Sequence, residues 1–162
     1  MRDFRFHFAS LYRDRGYSVI PLLTNGNPAV DWRPFCKRRA SLGEIAIWFG
    51  HASSQQYGIG IVTGNISDLV VVSIERCKSG RPLVTPLIAS SGERKNLFFR
   101  YTPGTNTSFG NVADVFGEDG FVIAPDRPDH WLAWPKNYSL ESIPRFDPSW
   151  LKVEKQIDHA ST

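Results

Sequence analysis

The stretch Leu69-Val70-Val71-Val72-Ser73-Ile74-Glu75 decides the fold, because a continuous apolar run of this length predicts a buried strand that ends in polar side chains. Side chains alternate across a strand, so Ser73 and Glu75 are expected on the same face of the sheet. Two interpretations stay open at this stage. The pair is either the polar end of a half-buried strand or a pair of oxygen ligands beside a cleft.

Two short helices and several further strands are predicted around this run. One helix is expected over residues 9–15, ending at Gly16, and a second follows Ser41-Leu42-Gly43-Glu44, which matches a capping box. The other strands are expected at residues 17–23, 58–63, 87–90, 97–101, 121–124 and 131–134. Pro21 suits an edge strand or a strand end.

Three hairpins are expected from the order of these strands: 58–63 with 69–75, 87–90 with 97–101, and 121–124 with 131–134. Because the helices come early and strands fill the middle of the chain, the pattern predicts an α+β fold. We expect a single compact domain over residues 1–147, with a central mixed or largely antiparallel sheet flanked by short helices. Residues 148–162 are expected to form a terminal helix or tail.

The composition is that of a globular chain with a mildly basic balance. The 162 residues carry a formal net charge of +3, and 13% of them are aromatic. Cys36 and Cys77 stand apart without a CxxC pair, so no zinc site or disulfide framework is indicated. The N-terminus lacks the apolar core of a signal peptide, and no later run has membrane-spanning length. We therefore expect a cytoplasmic protein without a membrane partner.

Several segments follow one another in a distinctive order. They are GYSVIPL at 16–22, GIGIVTGN at 58–65, LVVVSIE at 69–75, SSGERKNLFFR at 90–100 and NVADVFGEDGFVIAPDRP at 111–128. This order resembles the bifunctional DNA primase-polymerase domain of the archaeo-eukaryotic primase superfamily, which occurs in replication proteins of plasmids, phages and other mobile elements. The resemblance covers residues 8–135.

The resemblance implies a metal site on the strand that ends at Glu75. In that family an Asp-x-Asp pair there binds divalent cations, and a third carboxylate follows in a later segment. The matching residues are Ser73, Glu75 and Asp114, which form the implied catalytic set. Glu75 and Asp114 are the implied ligands of Mg²⁺ or Mn²⁺. Because serine offers only a neutral oxygen, we expect an eroded metal site.

The second motif of the family contacts the phosphates of the incoming nucleotide. Here it matches residues 91–100, and Asn96 takes the place of the family's histidine. Asparagine cannot become cationic, so a weaker hold on triphosphate is expected. The implied phosphate-binding residues are Ser91, Arg94, Lys95 and Asn96.

A group of basic side chains surrounds the central strands, and it would form a groove with aromatic platforms if it shared a face with Phe98, Phe99 or Tyr101. Such a mixture is typical of surfaces that bind single-stranded or template-primer DNA, although a merely solvated surface explains it equally well. The residues concerned are Arg76, Lys78, Arg81 and Arg100.

The expected function is a domain of a replication-type protein that binds nucleic acid and nucleoside triphosphate, with weak or absent polymerase and primase activity. Two alternatives remain. One is an active metal-dependent DNA primase-polymerase. The other is a non-catalytic interaction or regulatory module that contacts protein partners of a replication complex.

Overall fold

Two antiparallel sheets and two short helices form the computed structural model, which describes residues 4–50, 56–75, 85, 87–91, 93–110, 113–126, 130–133 and 143–149. The fold is α+β, as predicted. Its helices are α1 (Arg5–Asp14) and α2 (Leu42–Phe49), with 3-10 turns at Arg33–Cys36 and Asn65–Ser67. Its strands are β1 (Ser18–Leu22), β2 (Gly58–Val62), β3 (Val70–Glu75), β4 (Ile88–Ser91), β5 (Arg94–Phe99), β6 (Ser108–Phe109), β7 (Ala113–Phe116), β8 (Phe121–Ala124) and β9 (Trp131–Ala133).

The strand β3 lies inside the larger of the two sheets. That sheet has the order β6-β7-β3-β5-β4-β9, and the smaller one has the order β1-β2-β8. Val71 belongs to a core shared with the smaller sheet and both helices, whereas Val70 and Val72 pack in a second core on the other face. Burial on both faces explains why the apolar run of this strand is continuous rather than alternating.

The antiparallel strands are divided between two sheets rather than gathered in one, because the chain changes sheets between β2 and β3. These two strands were expected to form a hairpin, but β2 pairs with β1 and β8, and β3 pairs with β5 and β7. Gly64 at φ +92° and Asp68 at φ +46° turn the chain between them, with one isolated bridge from Gly64 to Leu69. A second expected hairpin is also wrong, since β8 pairs with β2 and β9 pairs with β4.

The hairpin predicted from 87–90 and 97–101 is confirmed as β4 paired with β5. The edge position of β1 is confirmed too, with Pro21 in an outer strand where a missing N–H is tolerated. Helix α1 starts four residues earlier than predicted, and Phe8 and Tyr12 form its buried face. Helix α2 confirms the capping box, since Ser41 Oγ accepts from the Glu44 amide.

The Tyr12 hydroxyl links α1 to both sheets through two hydrogen bonds. Its hydroxyl donates to the Pro125 carbonyl at 2.6 Å, just after β8, and accepts from Trp131 Nε1 at 3.1 Å, on β9. Burial raises the pKa of the Tyr12 hydroxyl above its ordinary value, so the group stays protonated and keeps donating. This link holds the two sheets together on the side of the helices.

The capping box of α2 makes a testable contribution to acid stability. Hydrogen bonds from Arg38 lower the pKa of Glu44 from 4.5 to about 2. Because the folded value is the lower one, the contribution is complete above about pH 5 and is lost as the pH falls toward 2. Glu44→Gln should therefore lower the unfolding free energy by about 0.5–1 kcal/mol at pH 7.

Urea unfolding at pH 7 and at pH 3 measures this difference for Glu44→Gln against the parent chain. The matched control is Asp14→Asn, which removes an exposed carboxylate at the end of α1. An equal deficit for Glu44→Gln at both pH values would contradict the assigned ion pair.

Neither described helix has the length and hydrophobicity needed to cross a bilayer. The predicted terminal segment 148–162 lies outside the described residues from position 150 onward. Just before it, Phe146 is buried against Phe99 with ring centroids 6.1 Å apart, so this residue packs on the larger sheet.

Candidate functional site

Three polar residues lie side by side across the larger sheet. Ser73 on β3 is directly opposite Asp114 on β7 and directly opposite Asn96 on β5. Residues paired in this way have their side chains on the same face, with Cβ atoms about 5 Å apart. The structure therefore brings together one serine, one asparagine and one carboxylate that the sequence motifs had singled out.

Glu75 lies on the same face, one step further along β3. Its backbone partner on β5 is Arg94, and it is diagonal to Asp114 across the β3–β7 pair. Diagonal neighbours are about 7–8 Å apart. The two carboxylates implied as metal ligands thus lie on one face, but Arg94 shares that face with them.

Arg94 bonds to two of the three residues in this row. Its Nε donates to Ser73 Oγ at 2.9 Å, and its Nη2 donates to the Ser73 carbonyl at 2.7 Å. The same Nη2 lies 3.5 Å from Asp114 Oδ2. The other carboxylate oxygen of Asp114 accepts from the Gly110 amide at 3.3 Å. A cation of the chain itself therefore sits between the serine and the carboxylate.

These residues, as arranged, do not fit a two-metal centre. A divalent hard cation needs several oxygen ligands, preferably anionic ones. Ser73 Oγ and Asp114 Oδ2 are instead turned toward the guanidinium of Arg94. Among the described residues, no group of three or more His, Cys, Asp or Glu side chains is placed to hold a metal ion. Positive charge at this place comes from Arg94.

A cavity of about 450 Å³ opens beside the row, between the two sheets. Ser73 and Asn96 form part of its wall from the larger sheet, and residues 121–123 of β8 form part from the smaller one. Its volume is in the range of small-molecule sites. The remaining lining residues are Asn25, Gly26, Asn27, Trp32, Thr107, Phe109, Phe116, Asp119 and Gly120.

Asn96, in the wall of this cavity, has a side-chain oxygen that accepts no hydrogen bond from the described residues. The residue is only 4% exposed, and its Oδ1 atom is buried without a hydrogen-bond partner among the described residues. An unsatisfied buried acceptor costs roughly 1–3 kcal/mol. Such a cost is commonly retained where the group serves a site rather than the fold.

Aromatic and aliphatic side chains shape the rest of the cavity. Trp32 packs edge-on against Phe121 at 5.2 Å, and Phe109 packs edge-on against Phe116 at 5.8 Å. Phe109 is 75% exposed and Ile123 is 55% exposed. Two of the most exposed large apolar side chains of the described chain therefore line one cavity.

The turn 117–120 brings backbone into close contact at the cavity wall. A Cβ on Gly120 would lie 2.2 Å from Thr107 Oγ1 and 3.0 Å from Thr63 Oγ1, so only glycine fits there. Asp119 before it adopts the left-handed conformation at φ +56°. Thr63 anchors the turn by donating its hydroxyl to the Gly117 carbonyl at 2.6 Å. This arrangement presents Asp119 to the cavity.

The other predicted site residues are distributed differently. Lys95 pairs with Ile74 and Ser90, so alternation places it on the face opposite Asn96. Arg100 lies at the far end of β5, where its Nε donates to Asp68 Oδ2 at 3.0 Å. Ser91 pairs through its backbone with Arg94. Arg76, Lys78 and Arg81 lie outside the described residues.

The structure adds residues that the sequence motifs did not single out, chiefly Trp32, Phe109, Asp119 and Phe121. Among the other described tryptophans, Trp48 packs on Phe35 at 5.6 Å and Trp131 packs on Phe98 at 5.3 Å. Both serve the core. The available signal for the missed residues was the VFGEDGF segment, whose closely spaced glycines predict a tight turn.

Cys36 lies near the cavity but is unsuited to nucleophilic chemistry. Burial raises the pKa of its thiol, and the nearby Asp119 and Glu118 carboxylates raise the pKa further. The thiolate is the reactive form of cysteine. Cys36 is therefore a packing residue in the neutral thiol form.

A scan against protein-family models found no matching family, and a search of curated proteins found no similar sequence.

Proposed function

We propose that this chain is a nucleotide- and nucleic-acid-binding domain of a replication-type protein that works without a catalytic metal centre. The observation that carries the proposal is the position of Arg94, bonded to Ser73 and Asp114 beside a cavity lined by aromatic rings. A guanidinium fixed next to such a cavity is suited to a ligand with a phosphate and a flat ring.

Arg94 keeps binding capacity toward phosphate despite its internal bonds. Its Nε and Nη2 are used by Ser73 and Asp114, whereas no described acceptor contacts Nη1. The side chain is 35% exposed, so a phosphate oxygen can reach it. Pre-organisation by Ser73 reduces the rotamer entropy that is lost on binding. We propose Arg94 as the phosphate contact of the site.

The same geometry argues against nucleotidyl transfer as the activity. That reaction uses a pair of cations held by shared carboxylates to activate a hydroxyl and to neutralise the leaving phosphate. Asp114 and Ser73 are engaged by Arg94, and arginine cannot give up its proton to act as a base. We therefore propose binding without turnover, and a cytoplasmic location where DNA and nucleotides are present.

Binding should be independent of divalent cations. Titration of ATP and of a single-stranded oligodeoxynucleotide should give the same affinity in EDTA as in Mg²⁺. Arg94→Met should weaken binding by about tenfold, since a charge-assisted hydrogen bond is lost. The matched control, Arg38→Met, removes a cation that pairs with Glu44 away from the cavity and should leave affinity unchanged.

Three results would count against this proposal. Affinity that appears only with Mg²⁺ or Mn²⁺, together with primer extension that is lost on Asp114→Ala, would establish the active primase-polymerase alternative. The absence of both ATP and DNA binding would leave the interaction module as the better account. A flat salt response of DNA binding would exclude phosphate contacts.

A further inference from the structure

We infer that the cavity between the sheets receives the nucleobase of the bound nucleotide and that this base is adenine. Asn96 recognises an N–H donor at the edge of the base. The inference rests on the proposed function and specifies which part of the nucleotide enters the cavity. Its starting point is Asn96 Oδ1, a buried acceptor without a hydrogen-bond partner among the described residues.

The chemistry of an acceptor excludes phosphate as the group that satisfies Asn96. Ionised phosphate offers acceptors only, whereas a base offers N–H donors at its edge. Asparagine pairs with adenine by accepting from the N6 amino group while donating to a ring nitrogen. The terminal torsion of asparagine is soft, so the amide can turn its oxygen to the cavity when a donor arrives.

The charge of the residues that line the cavity also favours a base over a phosphate inside it. The residues that line the cavity include one carboxylate, Asp119, and no Lys or Arg among the described residues. A negative wall repels triphosphate and tolerates a neutral ring with N–H donors. Arg94 is outside the lining but bonds to Ser73, which is part of it. A nucleotide would therefore place its base inside and its phosphates toward Arg94.

The apolar walls supply surfaces for a flat ring. Phe109 and Ile123, the two exposed apolar side chains of the lining, stand on different sheets. Trp32 and Phe121 add a further aromatic pair. Stacking of a base on an aromatic side chain contributes substantially to affinity and does not depend on base identity. The discrimination between bases would depend on Asn96.

The test compares adenosine with purine riboside, which differs only in lacking the 6-amino group, and uses inorganic tripolyphosphate as a phosphate-only probe. Binding is followed by NMR titration of the full chain, with the backbone amides of the lining residues 121–123 as reporters in every variant and the Asn96 side-chain amide as an additional reporter in the parent chain. Adenosine should bind about tenfold more tightly than purine riboside to the parent chain. Asn96→Val should reduce that ratio to about one, and tripolyphosphate should leave the Asn96 amide signal unmoved.

The control substitution is Asn106→Val, at an exposed asparagine outside the cavity, which should keep the tenfold ratio. Phe109→Ala should weaken both nucleosides equally, because it removes stacking and not the amine contact. If ATP binds but the two nucleosides bind equally, the base assignment is overturned while the proposed function stands. If neither ATP nor adenosine binds, both are overturned.

Discussion

Replacing Arg94 with methionine should give the chain an affinity for divalent cations that we do not expect of the parent. Methionine keeps most of the apolar stem but leaves Ser73 Oγ and Asp114 Oδ2 without the cation that they contact at 2.9 Å and 3.5 Å. Glu75 lies on the same face, diagonal to Asp114. Two carboxylates and a hydroxyl around a vacated positive charge form a weak site for Mn²⁺.

The expected gain is measured as stabilisation by the metal. At a Mn²⁺ concentration of about 100 times its Kd, the unfolding free energy of Arg94→Met should rise by about 2.7 kcal/mol, and that of the parent chain should not change. Without metal the variant should be about 2–3 kcal/mol less stable, since hydrogen bonds to a charged group are lost. Paramagnetic broadening by Mn²⁺ should be centred on the amides of Ser73, Asn96 and Asp114.

Two further variants make this result specific. Arg38→Met removes the same charge from an exposed pair with Glu44 and should gain no response to Mn²⁺. The double variant Arg94→Met with Asp114→Asn should lose the response again. A Mn²⁺ response in the parent chain itself would show that Arg94 moves aside, and the metal-free proposal would be wrong. If no variant responds to Mn²⁺, the row formed by Ser73, Asn96 and Asp114 does not correspond to a metal site.

The sequence predicted well those elements that are specified by a few neighbouring residues. The capping box needs only Ser41 and Glu44, and the structure contains both of its hydrogen bonds. β3 was predicted from an unbroken apolar run, which is buried on both faces. Short elements were missed, because β6 has two residues and β7 is a four-residue strand in which Asp114 breaks the apolar run.

Strand pairing was less predictable, because it depends on contacts between distant parts of the chain. The segment between β2 and β3 has a length that a hairpin loop would also have. The left-handed conformations of Gly64 and Asp68 instead direct β3 into the other sheet, where it pairs with strands from residues 94–99 and 113–116. No local pattern in the segment distinguishes these two outcomes.

In the candidate site, too, some features follow from local sequence and others depend on contacts between distant parts of the chain. The motifs correctly grouped Ser73, Asn96 and Asp114, which the register places side by side. The contact of Arg94 with Ser73 depends on the β3–β5 register, in which Arg94 faces Glu75 and reaches back one step. Trp32, in the segment after β1, and Phe121, on β8, are far apart in sequence and meet at 5.2 Å only in the folded chain. Local patterns contain neither fact.

Substituting Asn96 with valine should make the protein more stable while abolishing its preference for adenosine over purine riboside. Asn96 is buried in β5, and its Oδ1 has no hydrogen-bond partner among the described residues. Removing an unsatisfied buried acceptor recovers up to about 1–3 kcal/mol, and valine is also favoured in strands. We expect the unfolding free energy to rise by about 1–2 kcal/mol, with a melting temperature higher by about 2–8 °C.

Thermal and urea unfolding of Asn96→Val measure this gain, and Asn106→Val is the control, since an exposed site should change by less than about 0.5 kcal/mol. A loss of stability in Asn96→Val would mean that the amide is needed by the fold, and the assignment of Asn96 to ligand recognition would fail. A gain in stability together with a loss of the preference for adenosine is the opposite pattern. It is the one expected of a residue retained for a ligand at the expense of stability, since stabilising substitutions at a functional site commonly cost function.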